Sequence, residues 1–301
     1  RFFKYPDGRT VCVNDTSFDD PFTKSAEDEI FEKYLTNVTL SNFKHYSLVG
    51  GDTVDANAVV LNFEAQSLEN AHSHTDYLSM TYWGAGTELL PDAGYPRGSG
   101  TPQHSFFKSP LAHNTTWVWN KDTNYSKSKS KHCVQSALLA YDGGENNNKQ
   151  VQLTEASQSG QNYDFADIKR RALLTIKISD NRFYTVDINR LKGGNAHELF
   201  LRSSEDEDVR LSTDLLLEKN EGTLKDYFEK TGKNEGLTVI NGSKNLRELC
   251  LKPMVSDGSR ASFFSWTGEK TNSTLNVFLN DVQKSDIVFS KIPSLRRAKN
   301  D

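Results

Sequence analysis

From about residue 44 the apolar positions fall into short runs, many strictly alternating with polar ones, and turn signals separate them. AVVLNFEA, DYLSMTYWG, TELLP, TTWVWN, QSALLAY, QVQLTE, ALLTIKIS, RFYTVDIN, HELFLRS, LTVING, ASFFSWTG and TLNVFLN each read as a strand. VGGD, YDGGENNN, SDN, LKGGN and NGS are the punctuation between them. Parallel strands need crossover segments, most often helices, and almost no helical spacing lies between these runs. The pattern therefore predicts a mainly β protein, a large antiparallel β-sandwich over residues 44–301. DLLLEKNEGTLKDYFEKTG, near 214–232, fits either a short helix or a strand pair.

Residues 1–43 read differently. PDGR and DDP mark turns, and Ser25 with Asp28 has the form of a capping box. Ile30, Phe31, Tyr34 and Leu35 then recur at helical spacing, which predicts one helix through about residue 36. A connecting segment with a single helix ahead of a long β region suggests the end of a helical layer. The chain starts at Arg1-Phe2-Phe3 without Met, as a processed chain or a fragment would.

Composition narrows the function classes. A length of 301 residues can bury a substantial core in one large or two smaller domains. With 36 basic and 40 acidic residues intermixed and a net charge of −4, there is no basic field for nucleic acid. No apolar run approaches the ~18 residues of a membrane span, so no membrane partner is expected. Cys12, Cys133 and Cys250 are too few and too far apart for a disulfide framework or a paired-cysteine metal knuckle, and are expected to be buried hydrophobes or unpaired thiols. The lysine and serine run at 124–132 is expected to be an exposed loop.

The candidate chemistry sits between His72 and Asn120, which holds four of the seven histidines. In an extended AHSHTD segment, His72, His74 and Asp76 would leave the same face. Asp92 in LLPDAGY and His113 in LAHNTTW follow, each beside a run that reads as a strand. Ligand-type residues on neighbouring strands can converge on one ion. Two imidazoles and a carboxylate bind Zn2+ well and leave a position open, with Ca2+ or Mn2+ as the lesser alternatives. The remaining imidazole is then a candidate for substrate contact or proton transfer.

These residues carry a resemblance. HSHTDYLSMTYWGAGTELLPDAGY followed by AHNT resembles the heparinase II/III-like polysaccharide lyases, which include heparin, heparan sulfate and oligo-alginate lyases. The 18-residue step from His74 to Asp92 fits that pattern, and FYTVDINRLKGGNAHELFLRS, with Asp187 and His197, is similar to a later strand pair. DAGY departs from it mildly, since Pro is commoner before that Gly.

The resemblance implies an N-terminal (α/α) toroid followed by a β-sandwich, with an acidic polysaccharide or oligosaccharide held between them. It implies His74, Asp92 and His113 as metal ligands, with Asp76 and Asn114 orienting the ligand histidines. His72 matches the histidine that faces the substrate cleft, and the reaction implied is β-elimination on a uronate glycan. Most of the acid–base groups of that reaction would belong to the toroid. Tyr95 and His104 are the cleft-facing candidates between the two metal motifs, and Arg97 is a candidate sulfate or carboxylate contact. The implied parent is periplasmic or secreted, and a homodimer is among the expected assemblies. Two alternatives stand beside this reading, a cupin-like metalloenzyme and a non-catalytic glycan-binding or structural sandwich.

Overall fold

The computed structural model describes Tyr5, Val11 and residues 37–51, 59–64, 74–94, 101–119, 135–159, 166–180, 182–232, 246–257, 262–280 and 285–296. The predicted helix over residues 25–36, the strand expected at LTVING, the 124–132 run, Cys12 and Cys133 lie outside these residues.

The described chain is mainly β, in several antiparallel sheets. β1 (Val38–Leu40), β2 (His45–Gly50), β3 (Val59–Glu64), β4 (Ser79–Gly84) and β5 (Thr87–Leu90) form a five-stranded meander in that order. The sheet thus begins at Val38, ahead of residue 44. Ala85 and Gly86, both at positive φ, make the two-residue turn that joins β4 to β5. β7 (Gln135–Asp142), β8 (Val151–Ser159), β9 (Ala166–Ser179) and β10 (Arg182–Gly193) form a second meander.

Alternation explains why these two sheets stack. Tyr46, Leu48, Leu61, Phe63, Met80 and Leu90 from the first sheet, with Leu78 just ahead of β4, form one buried cluster with Ala156 and Leu173 of the second. Burying one such side chain contributes about 1.5–3 kcal/mol, so this layer holds the two sheets together. The inner face of the second sheet also carries Gln152, Thr154, Lys169, Arg171 and Thr175, all buried. That is an unusual polar load for a sandwich core, and Arg171 within it reaches the segments that carry the candidate chemistry. The other face of the first sheet packs Val49, Val60 and Trp83 against Tyr5 and Val11. Tyr5 stacks on Trp83 at 5.0 Å, and its hydroxyl meets Glu88 Oε1 at 2.7 Å and Thr81 Oγ1 at 2.9 Å.

Smaller sheets complete the molecule. β6 (Thr116–Trp119) pairs with β11 (Ala196–Leu199). β12 (Val209–Thr213), β15 (Ser262–Gly268) and β16 (Thr274–Leu279) form one three-stranded sheet; β13 (Glu218–Lys219), β14 (Leu251–Asp257) and β17 (Asp286–Lys291) form another. Phe264, Ile287 and Phe289 are the centre of the core between them.

Helices are few and short. In α1 (Pro102–Phe107) the Thr101 hydroxyl accepts from the His104 amide at 3.1 Å and Pro102 occupies the first turn. α2 (Leu224–Thr231) opens on a Thr223–Asp226 capping box and closes on Gly232 at φ +63°. The 214–232 stretch, left between helix and strands by its pattern, is both, with β13 followed by α2. Cys250 is a buried free thiol, as expected, and burial pushes it up to about 12 against the pull of Arg247. Among the described residues no helix is long and apolar enough to cross a membrane.

Candidate metal centre

Four donors meet where the first sheet runs out. His74 and Asp76 precede β4, Asp92 follows β5, and His113 follows a one-turn 3-10 helix at Pro110–Ala112. Potential ligand atoms of all four lie within 4.8 Å of one another, and all four residues are buried. The extended segment expected for the His-x-His-x-Asp motif is not what forms over its described part. His74–Leu78 is irregular and turns into β4, with the Ser79 amide donating to the Asp76 carbonyl at 2.9 Å. The donors therefore stand on loops at strand ends and not on the strands. The turn is strained, because Leu78 is fully buried at φ +56°, a conformation costing on the order of 1–3 kcal/mol for a non-glycine residue.

The geometry of the donors suits a small cation. His113 Nδ1 lies 2.8 Å from the Ser109 carbonyl, which can only accept, so the ring carries its proton there. His113 Nε2 then faces the cluster, 3.2 Å from His74 Nδ1, 3.4 Å from Asp92 Oδ2 and 3.8 Å from Asp76 Oδ2. Tetrahedral bonds of about 2.0–2.2 Å place neighbouring ligand atoms roughly 3.4 Å apart, close to these separations. Asp92 Oδ1 is tied to the Gly94 amide at 2.7 Å, which leaves Oδ2 facing the cluster.

Asp76 supplies the test of fit. It is 0% exposed, and neither carboxylate oxygen has a hydrogen-bond partner. An ionised carboxylate taken out of water loses several kcal/mol of solvation unless a charge or donors replace it. A divalent ion among two carboxylates and two imidazoles balances both carboxylate charges and takes one Asp76 oxygen as a ligand. The set of two nitrogens and two oxygens suits zinc better than Ca2+, which takes six to eight oxygens.

Buried hydrogen bonds fix the loops. Asn114 Nδ2 donates to the Met80 carbonyl at 3.0 Å and the Pro91 carbonyl at 2.9 Å, and its Oδ1 accepts from the Arg202 amide at 2.7 Å. It joins the backbones that carry the ligands, whereas the group that orients the His113 ring is the Ser109 carbonyl. Asp76, expected to orient a ligand histidine, stands inside the donor cluster itself. Arg296 Nη2 donates to the Asp92 carbonyl at 2.9 Å and to Glu88 Oε2 at 2.7 Å. Arg202 pairs with Glu205; burial presses its guanidinium down to about 9, while the Asp92 charge pulls the other way. A small cavity of about 10 Å³ lined by Val11, His45, Glu64, Ser79, Met80, Thr81 and Asp92 adjoins the cluster.

Of the other candidates, His104 sits half-buried on α1 and takes no part in the cluster. His72, Tyr95 and Arg97 lie outside the described residues. Ser109, Arg171 and Arg296 were not foreseeable from local pattern, since a carbonyl acceptor and two distant guanidiniums have no signature at this spacing.

A layered antiparallel sandwich with a two-histidine, two-aspartate cluster at the ends of one sheet is the class of protein that fold and site define. Residues 39–251, well over half of the chain, match the model of the family described as heparinase II/III-like, C-terminal, and the chain belongs to that family. Family membership sets the cupin-like alternative aside. No curated protein sequence matches the chain. Among solved structures, the heparan sulfate lyase HepC from Pedobacter heparinus is similar with a TM-score of 0.51 and 14% identity, over 96% of this chain and 45% of that one. A heparinase III is similar with a TM-score of 0.47 and 15% identity, over 96% of this chain and 47% of that one. The chain spans about half the length of these structures, and at such identities the likeness is one of fold.

Proposed function

We propose that this chain is the metal-bearing sandwich of a polysaccharide lyase, acting on a uronic-acid-containing glycan such as heparin, heparan sulfate or alginate. Family membership supports the class. The observation that carries the metal half is the buried carboxylate of Asp76, which has no hydrogen-bond partner and stands among three further donors. His74, Asp76, Asp92 and His113 would hold zinc, which when bound supplies positive charge that ties four loop positions together. Its role in this reading is structural.

Elimination requires that the uronate carboxylate be neutralised, that a base remove the C5 proton and that an acid protonate the departing oxygen. Within this chain, His72 is the residue assigned to the proton-handling face, with Tyr95 as a second candidate and Arg97 and His104 as glycan contacts. A helical toroid of the same parent protein would supply the remaining groups, and the parent would act in the periplasm or outside the cell, where such glycans lie. The test is incubation of the parent protein with uronate polymers while the ultraviolet absorbance of the conjugated unsaturated uronate is followed. Its appearance, and its loss in His72→Ala, is the expected result. A protein that binds the glycan and yields no unsaturated product is a binding module, and the lyase reading then fails.

A further inference from the structure

Arg171 is the largest polar side chain buried in the second sheet, and its contacts reach both halves of the donor cluster. It lies on β9, 0% exposed. Nε and Nη2 grip Asp187 of β10 as a fork, at 2.9 Å to Oδ1 and 2.8 Å to Oδ2. Nη1 is thereby aimed across the sandwich, where it donates to the Leu78 carbonyl at 2.7 Å and the Asn114 carbonyl at 2.6 Å. Leu78 follows Asp76 by two residues and Asn114 follows His113 directly.

Two independent features mark this as more than a core ion pair. Leu78 is held in a left-handed conformation that a leucine disfavours, and the carbonyl of that strained residue is one of the two that Nη1 holds. The same nitrogen joins the peptide units behind Asp76 and behind His113, segments more than 30 residues apart in sequence. Asp187 is itself fixed by Asn189 Nδ2 at 2.9 Å, so the fork has a set direction.

We propose that Arg171, oriented by Asp187, is the positioning residue of the metal centre. It sets the distance between the Asp76 and His113 donors by pinning the backbone behind each. This rests on the metal-centre reading given above. A lysine at this place has no planar fork and cannot engage the carboxylate and both carbonyls together.

The experiment uses the chain as expressed, stripped of metal, with zinc affinity read by competition against a chromophoric chelator and donor geometry by the visible spectrum of added Co2+. R171K and D187N are compared with wild type, alongside the thermal unfolding of each metal-free protein. D187N keeps an acceptor at a position 21% exposed and so remains informative where R171K folds poorly. Positioning predicts a roughly 10–100-fold loss of zinc affinity in R171K, as for other groups that orient ligands, a smaller loss in D187N, and an altered cobalt spectrum in both. A purely structural role predicts lower unfolding temperatures with zinc affinity and cobalt spectrum unchanged, and that result overturns the proposal. A wild-type chain that takes up neither ion overturns the metal-centre reading itself.

Discussion

Replacing Asp76 by Asn separates the cost of an unpaired buried charge from the benefit of a bound ion, because the two effects have opposite signs. Without metal, both Asp76 oxygens are buried and lack hydrogen bonds, and His113 Nε2 lies 3.8 Å from Oδ2. Asn keeps the shape and removes the charge. Part of the several kcal/mol of lost solvation is recovered, less what an amide without partners still costs, which leaves a net gain of about 1–3 kcal/mol. At about 2–4 °C per kcal/mol for a domain of this size, the metal-free variant should unfold several degrees above metal-free wild type. With metal the variant gives up this advantage. Zinc at about 1,000 times its dissociation constant stabilises the folded chain by about 4 kcal/mol, and a 10–100-fold weaker site loses about 1.4–2.7 kcal/mol of that. Scanning calorimetry of both proteins, chelated and zinc-loaded, reads all four values. A variant less stable than wild type when stripped, with an undiminished rise on zinc addition, would refute the reasoning.

Other expectations follow from the same geometry. His74→Ala and Asp92→Ala should each abolish stoichiometric zinc in metal analysis, while His72→Ala should keep the metal and lose activity in the parent protein; metal loss in the last variant would exchange the roles of the two histidines. Burial pulls the Glu207 carboxyl up, but the Thr271 hydroxyl and the Lys270 and Thr271 amides outweigh it and hold the group below its ordinary value. A carboxyl depressed in the folded state contributes stability that is present above its unfolded value and lost as pH falls through the folded one. E207Q should therefore cost about 1–3 kcal/mol at neutral pH, shrinking between about pH 5 and pH 3 in urea titrations, and a constant difference would contradict the clamp. Gly194 sits at φ +65°, and a Cβ there would lie 2.4 Å from the Trp119 carbonyl oxygen. Gly194→Ala should lower the unfolding free energy by at least about 1 kcal/mol, since both backbone and space oppose it.

The strands that sequence pattern reveals are those whose alternation is strong. TELLP and TLNVFLN mark β5 and β16 almost to the residue, with Leu90 in one core and Leu275, Val277 and Leu279 packed against two, and RFYTVDIN marks the start of β10, which runs on to Gly193. β12, β14 and β17 are hidden for different reasons. VRLST is short and half-exposed, LKPMVSD contains a proline that normally argues against a strand, and DIVFSK ends in charge. α1 escaped because its six residues are too few for a helical period. The donor residues were legible through their spacing and family likeness, yet the backbone that presents them was not. The turn through Leu78 depends on a guanidinium 93 residues away, and no local propensity encodes such a contact. Alternation puts Asp76 on the face of His74, the family likeness assigns it an orienting role, and the structure brings both residues into the donor cluster.

The central claim is that one cation sits among His74, Asp76, Asp92 and His113. Zinc K-edge X-ray absorption on the purified chain tests it most directly. The account predicts about one zinc per chain with a first shell of two nitrogens and two oxygens at about 2.0–2.2 Å. A chain that retains no metal, or a shell containing sulfur or six oxygens, would contradict it.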